Sequence, residues 1–430
     1  MASIQKRQTV SGATAYVVKW KTPDGKHRSR GGFRTRKAAQ AYATDIEHAL
    51  FRGNTFDPKA GNITFRVAAQ AWLASRHDLK ATTRNSYRYM LAPVAERQGD
   101  GKTLGIDAVF GGYPLNAIKR EQITDWVAKL VAAGKKPATI RQNVKVVRMV
   151  LAQAVADGRI PFNPTAHVKL PGANARPATF VTAAQVSALV AATPWPYNVM
   201  VFVAAWSGLR AGELAGLQVG DVSLPEGSPG SVRVERTVAS VDGALRYLPP
   251  KTKGSRRTVP LPADATAMLG DYLADHPHRK NPTAPLFPAL RLGGAEAGVG
   301  ADADTLSVAE VEARLVLDWT QPLRHTTFYA RVFRPAVARA RRLSPNAGLP
   351  ARLGVHHLRH SYVSLCVAAG IPPLEISRFV GHSTVTTTLG TYAHLFESDH
   401  SAAMHALGAI GATPAKSNVV PLRPGHMKAL

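Results

Sequence analysis

Cysteine is almost absent from this chain. The one residue, Cys366, cannot close an internal disulfide and cannot by itself build a thiolate zinc site. No apolar run reaches the roughly eighteen residues of a membrane span. The first nine residues lack the apolar stretch of a secretory leader. A cytoplasmic protein with no membrane partner is the expectation. Acidic residues are scarce: 28 Asp and Glu stand against 54 Lys and Arg, a net charge of +26. The sequence shows no carboxylate cluster for a divalent metal, no Walker loop and no glycine-rich dinucleotide loop, so neither metal nor cofactor is expected. A cationic excess of this size favours a polyanionic partner, nucleic acid before an anionic membrane. A merely soluble basic protein is the plainer reading, but here the charge is spread through several folded segments.

What is present organises 430 residues into more than one core. Hydrophobic content of 45% is that of a folded protein. The fold class expected is mainly α with small β-sheets (α+β). Residues 1–58 read as three strands and a helix. Residues 15–20 alternate, Asp24-Gly25 makes a hairpin turn, and Thr35 caps a helix over 36–50 with Ala39, Tyr42, Ile46 and Leu50 on one face. Lys19, Lys21, Arg28 and Arg30 could set this sheet against phosphates, although a solvated basic face explains them equally. Residues 63–168 are almost wholly helical, with helices predicted from Thr64 to 75, over 81–94, 119–133 and 138–156. The last carries an apolar stripe of Ile140, Val144, Val147 and Leu151 beside Arg141, Lys145 and Arg148, a pattern that suits a helix along DNA or simply a solvated flank.

Pro161, Pro164, Pro171, Gly172 and Pro177 mark a linker to a third region, 177–410. There Thr182 and Gln185 form a capping box, 198–206 is an apolar helix, and 231–262 reads as one antiparallel strand group. Residues 289–306 are loop-like, the remainder is helical to about 410, and 411–430 is a loose tail. No internal repeat is visible.

Chemistry concentrates in five short stretches: Ser207-Gly208-Leu209-Arg210-Ala211-Gly212-Glu213-Leu214, Pro250-Lys251-Thr252-Lys253, His356-His357-Leu358-Arg359-His360, Gly381-His382-Ser383 and Thr391-Tyr392-Ala393-His394-Leu395. Breaking a phosphodiester needs an in-line nucleophile, neutralisation of the non-bridging oxygens and a proton for the leaving oxygen. Arginine is the metal-free answer to the second need, since its fork grips two oxygens and stays charged. Zinc on the histidine cluster is a rival reading, but no carboxylate or thiol stands beside it at ligand spacing.

In order and approximate spacing, these stretches resemble the tyrosine recombinase (phage integrase) family, strongly over 177–410 and more weakly over 63–170. Residues 1–60 resemble the arm-binding domain of phage-type members. The resemblance implies that Tyr392 is the nucleophile, forming a 3′-phosphotyrosine and freeing a 5′-hydroxyl. It implies that Arg210 and Arg359 clamp the phosphate, with Glu213 one turn away fixing Arg210. His356 would assist proton movement at the phenol, His382 would hydrogen-bond the phosphate, and His360 would support them. His357, His360 and His394 remain rivals for those places. Lys251 would protonate the leaving oxygen, with Lys253 as the alternative. Tyr87, Tyr329 and Tyr362 are expected to pack in cores or on surfaces.

The implied partners are duplex DNA at core and arm attachment sites, three further copies of the chain in a tetramer, and a directionality factor. The implied reaction integrates or excises a mobile element through a Holliday junction. Residues 401–410, with Met404, Leu407 and Ile410 apolar, could pass to a neighbouring subunit. A type IB topoisomerase-like relaxing enzyme and a silent architectural DNA-binding protein are the competing readings.

Overall fold

A computed structural model describes residues 2–9, 12–22, 25, 27–51, 60–97, 102–172, 179–250, 253–291, 305–395 and 401–412. Lys251 and most of the 289–306 stretch lie outside them. The chain divides into two compact units, Met1–Arg176 and Pro177–Leu430.

The first unit begins with an antiparallel sheet of β1 (Ser3–Gln8), β2 (Thr14–Lys21) and β3 (His27–Phe33), covered on one face by α1 (Arg36–Phe51). Alternation in β2 sends Val18 and Trp20 toward Ala39, Ala43 and Ile46 of the helix. The register then sorts the cations. Val18 pairs with Arg30 and Trp20 with Arg28, so both arginines share the helix-covered side, and Lys19 and Lys21 share the opposite one. Arg30 lies with its guanidinium 4.7 Å from the centre of the Tyr42 ring, a cation–π contact.

Helices follow: α2 (Phe65–Ser75), α3 (Ala81–Leu91), α4 (Ile106–Phe110), α5 (Arg120–Ala132) and α6 (Pro137–Ala156). Thr64 caps α2, its hydroxyl accepting from the Val67 amide, and Pro137 starts α6 where its missing N–H costs nothing. Their apolar stripes meet in a core of Phe65, Trp72, Phe110, Trp126, Ile140, Val144, Val147 and Leu151. Tyr87 belongs to this core, 5.6 Å from the Trp72 ring. The cations flanking the α6 stripe differ in their surroundings. Arg141 donates to the Pro171 carbonyl at 2.6 Å and Arg148 to the Thr165 hydroxyl at 3.3 Å, bracing the segment after α6, whereas Lys145 is exposed.

In the second unit α7 (Ala183–Ala191) opens on the Thr182–Gln185 capping box. It packs with α8 (Tyr197–Ser207), which is apolar on nearly every side and accordingly buried; α9 (Ala211–Leu214) is one short turn. The strand group over 231–262 is two sheets rather than one. In the first, β5 (Ser231–Val234) lies between β4 (Val222–Ser223) and β8 (Arg257–Pro260), while β6 (Thr237–Val241) and β7 (Ala244–Leu248) form a separate hairpin. Asp242 and Gly243 turn that hairpin with φ of 50° and 82°, both in the left-handed region that a tight two-residue turn requires. Beyond α10 (Ala263–Ala274), β9 (Pro288–Leu290) pairs with β10 (Leu317–Pro322), which flank α11 (Val308–Arg314) in sequence. The expectation of continuous helix after residue 306 fails there, because Leu317, Trp319 and their neighbours alternate and find a strand to pair with.

A helical run then joins α12 (His325–Phe328) to α13 (Arg334–Leu343) through a widened turn over Tyr329–Phe333. Pro335 has no amide to give to the preceding turn, which accounts for the widening. The last elements are α14 (Val355–Ala368), α15 (Pro373–Val380), α16 (Val385–Tyr392) and α17 (Ser401–Ala412).

Trp126 is fully buried in the helical core and donates its indole N–H to the Leu104 carbonyl at 2.9 Å. Trp126→Ala should destabilise the first unit by about 3–5 kcal/mol, read as a shift of its urea midpoint.

Candidate active site

Four helices and one strand converge to make the site. The first end is that of α8, which stops at Gly208 with φ +62°. A β-carbon there would collide with the Tyr362 ring, so the position needs glycine for both its conformation and its closeness to α14. Arg210 follows as the residue preceding α9. Its amide donates to Glu213 Oε2 at 2.9 Å, its Nη1 to Glu213 Oε1 at 2.8 Å, and its Nη2 to the Gly381 carbonyl at 3.1 Å. Its side chain is 40% exposed, facing the opening of the site, whereas Glu213 beneath it is buried.

A third residue completes this group, and sequence reasoning assigned it no role. Arg257, first residue of β8, donates from Nη2 to Glu213 Oε2 at 2.9 Å and from Nη1 to Oε1 at 3.2 Å. Burial alone would raise the Glu213 carboxyl. The paired N–H groups and charge of Arg257, with those of Arg210, outweigh it and hold Glu213 below the ordinary carboxylate range.

The second helix supplies Arg359, the fifth residue of α14 and only 3% exposed. Its Nη1 donates to the Gly208 carbonyl at 2.7 Å, while its Nη2 is buried and has no partner among the described residues. Burial and the nearby Arg210 charge push this guanidinium down to about 9, still protonated at neutral pH.

The third end is that of α15. Gly381 closes it with φ +68°, and His382 follows with its Nδ1 2.8 Å from the buried Thr388 hydroxyl. Burial and the charges of Arg359, Arg210 and Arg257 push His382 down to about 4, so it is neutral at physiological pH.

Tyr392 ends α16 and is 2% exposed, packed with Tyr362, Val363, Ile376 and Val380, with Phe180 against its ring. Its hydroxyl lies 2.5 Å from His360 Nδ1. His360 is pushed down to about 4 by burial and by the neighbouring His356, His357 and Arg359. Burial raises the phenol above its ordinary value, against a smaller opposing pull from Arg359. The pair is therefore a neutral phenol donating to a neutral imidazole.

The other histidines fall into separate places. His357 turns back to accept the Gly354 amide at 2.9 Å, capping α14. His356 is exposed and lies edge-on to His360, ring centres 4.7 Å apart. The histidine that touches the phenol is thus His360, not His356. Of the remaining sequence candidates, Lys251 and the side chains of Lys253 and His394 lie outside the described residues. Tyr362 is buried under the site, and Tyr329 stacks on Phe333 at the surface.

Arg257 could have been found from its strand. It alternates with Val259, which is fully buried, so the pattern placed a cation on a core face.

Comparison with known proteins adds independent findings. The model described as the phage integrase family matches residues 179–399. A phiRv2 prophage protein of Mycobacterium tuberculosis that carries the name integrase is 26% identical over 386 residues, covering 86% of each chain. A protein of Caldanaerobacter subterraneus named tyrosine recombinase XerC-like is 25% identical over 309 residues, 69% of this chain and 72% of its own. Among solved structures, the Tn1549 transposon integrase bound to transposon right end DNA shares the fold with a TM-score of 0.59 at 17% identity. That match covers 81% of this chain and all of the other.

The depressed histidines give a pH dependence. Between pH 6.5 and about 4 the unfolded chain binds protons at His360 and His382 that the folded chain refuses. Stability of the second unit should therefore rise with pH across that window and be lost as pH falls through it. Replacing both by Asn should flatten the dependence of the urea midpoint on pH in the same window.

Proposed function

The chain belongs to the phage integrase family, and from that membership we propose that it cuts and rejoins DNA at specific sites through a covalent tyrosine. One observation carries the reading to these residues: the buried Nη2 of Arg359, without a partner among the described residues, beside Arg210. A buried donor without a partner is costly, more so on a cation, and an anion with free oxygens removes the cost. Arg210 and Arg257 pair with one carboxylate, Glu213, and the neighbouring Arg359 pairs with none, so among the described residues the pocket carries surplus positive charge. A phosphodiester carries one negative charge, and more develops on its non-bridging oxygens in the five-coordinate transition state, which this surplus favours over the ground state.

In this reading the Tyr392 oxygen attacks phosphorus as its proton passes to His360 Nδ1. His360 takes that place from His356 because it already accepts the hydroxyl. His356, exposed at its edge, exchanges the proton with solvent. Arg210 and Arg359 hold the non-bridging oxygens, and neutral His382, anchored through Nδ1 to Thr388, donates its other ring N–H to them. The bond to the 5′ oxygen breaks as Lys251, or Lys253, supplies a proton. Rejoining reverses the steps with a 5′-hydroxyl of another strand, so the phosphodiester count is unchanged and no nucleotide is consumed.

Duplex DNA is the proposed partner of both units, at arm sites through the outward Lys19 and Lys21 and at core sites through the face carrying Lys145. A tetramer is the proposed working form. Met404 and Leu407 stand exposed on α17 and offer an apolar edge for a neighbouring subunit. A directionality factor and a place on the host nucleoid complete the proposal.

Tyr392→Phe should bind site DNA with unchanged affinity yet leave no protein–DNA adduct on a nicked suicide duplex run on a denaturing gel. An adduct surviving that change would remove Tyr392 from its role. Each of Lys19→Ala and Lys21→Ala should lower the slope of log affinity for arm DNA against log salt by about one. An unaltered slope would take the sheet's outer face out of the interface.

A further inference from the structure

The arginine that sequence reasoning passed over holds the site together more tightly than those it singled out. Arg257 grips both Glu213 oxygens, donates from Nε to the Phe379 carbonyl at 2.5 Å and from Nη1 to the Ser255 carbonyl at 3.1 Å. Its side chain is 6% exposed. Arg210 gives Glu213 only one side-chain contact, to Oε1, and sends Nη2 to Gly381. The two guanidinium groups on one carboxylate therefore differ in kind: one is sealed beneath it, the other opens outward.

We propose that Arg257 is a positioning residue of the phosphate clamp, taking up the charge of Glu213 so that Arg210 keeps its own for the DNA phosphate. This rests on the recombinase reading above. A carboxylate as buried as Glu213 must be compensated. Without Arg257, Arg210 is its remaining charged partner, and a fork-to-fork pair between them would draw Arg210 inward and cancel its charge. Arg257 acts from a second side as well. A β-carbon at Gly381 would lie 2.8 Å from Arg257 Nη1, so the guanidinium fills the space under the residue whose carbonyl orients Arg210. Glu213, the Phe379–Gly381 turn and the start of β8 thus share one planar group with fixed donor directions.

The test compares rates of covalent adduct formation on a nicked suicide duplex carrying the core site. Wild type, Arg257→Gln, Arg257→Lys and the double variant Glu213→Gln/Arg257→Gln are measured together, with circular dichroism and DNA affinity confirming folded, binding-competent protein. Arg257→Gln should slow the reaction on the order of 10²-fold. The double variant should recover roughly tenfold of that loss, since a neutral amide in place of the Glu213 carboxylate no longer draws on Arg210's charge. Arg257→Lys, which keeps the charge but not the fork, should fall between wild type and Arg257→Gln, and it serves alone should the glutamine variant fail to fold. A substrate whose scissile phosphate is a neutral methylphosphonate should shrink the deficit of either single variant, because less charge then needs neutralising. A double variant as slow as Arg257→Gln, or a single-variant deficit identical on the neutral phosphate, would overturn the proposal. Adduct formation by wild type separates the two levels: its absence refutes the recombinase reading itself.

Discussion

Burying several positive charges around one negative charge is the constraint on which the site depends. Glu213 is the only carboxylate bonded to Arg210 and Arg257 among the described residues, and Arg359 sits close enough to feel both. Uncompensated, such a cluster would be unstable; fully compensated, it would have nothing left for a ligand. The observed arrangement lies between. Glu213 is saturated by its two arginines and by the Arg210 amide, while among the described residues Arg359 is held by a single carbonyl and keeps a buried donor idle. Burial first, and then the neighbouring positive charge, depresses both His382 and His360, so both rings meet a ligand uncharged.

The scaffold sustains this by ending helices where charges must meet. Left-handed glycines close α8 and α15, and each leaves a carbonyl that accepts from an arginine on another element: Gly208 from Arg359, Gly381 from Arg210. Arg359 is thus positioned by backbone, and Arg210 by backbone together with the buried Glu213 carboxylate, which orients their forks before any substrate arrives. Tyr392 is held differently, by burial in a small apolar cluster and one hydrogen bond to His360.

Much of this was legible in the chain because the signals were local. Thr64 and Thr182 cap helices that the apolar spacing delimits, and four of the five motif stretches supply Arg210, Arg359, His360, His382 and Tyr392 to the site, the fifth lying largely outside the described residues. What escaped was nonlocal or was overlooked. His356 and His360 lie one turn apart on the same helix face, so spacing alone could not say which meets the phenol; the packing of α16 decides it. Arg28 and Arg30 looked equivalent to Lys19 and Lys21 until strand register sent them to the helix-covered side. The β6–β7 hairpin carried its signal in plain view, Asp242-Gly243, and β10 was lost because short alternating segments yield to longer helical neighbours in any reading by period.

In the proposed reaction Arg359 and Arg210 frame the phosphorus that Tyr392 attacks. A structure of the chain trapped covalently on nicked site DNA decides the point. The expected result is a bond from the Tyr392 oxygen to phosphorus, with Arg359 Nη2, idle here, donating to a non-bridging oxygen and Arg210 to the same phosphate. A phosphate linked to another residue, or one sitting away from the guanidinium pair while Arg359 Nη2 stays unpaired, would contradict it.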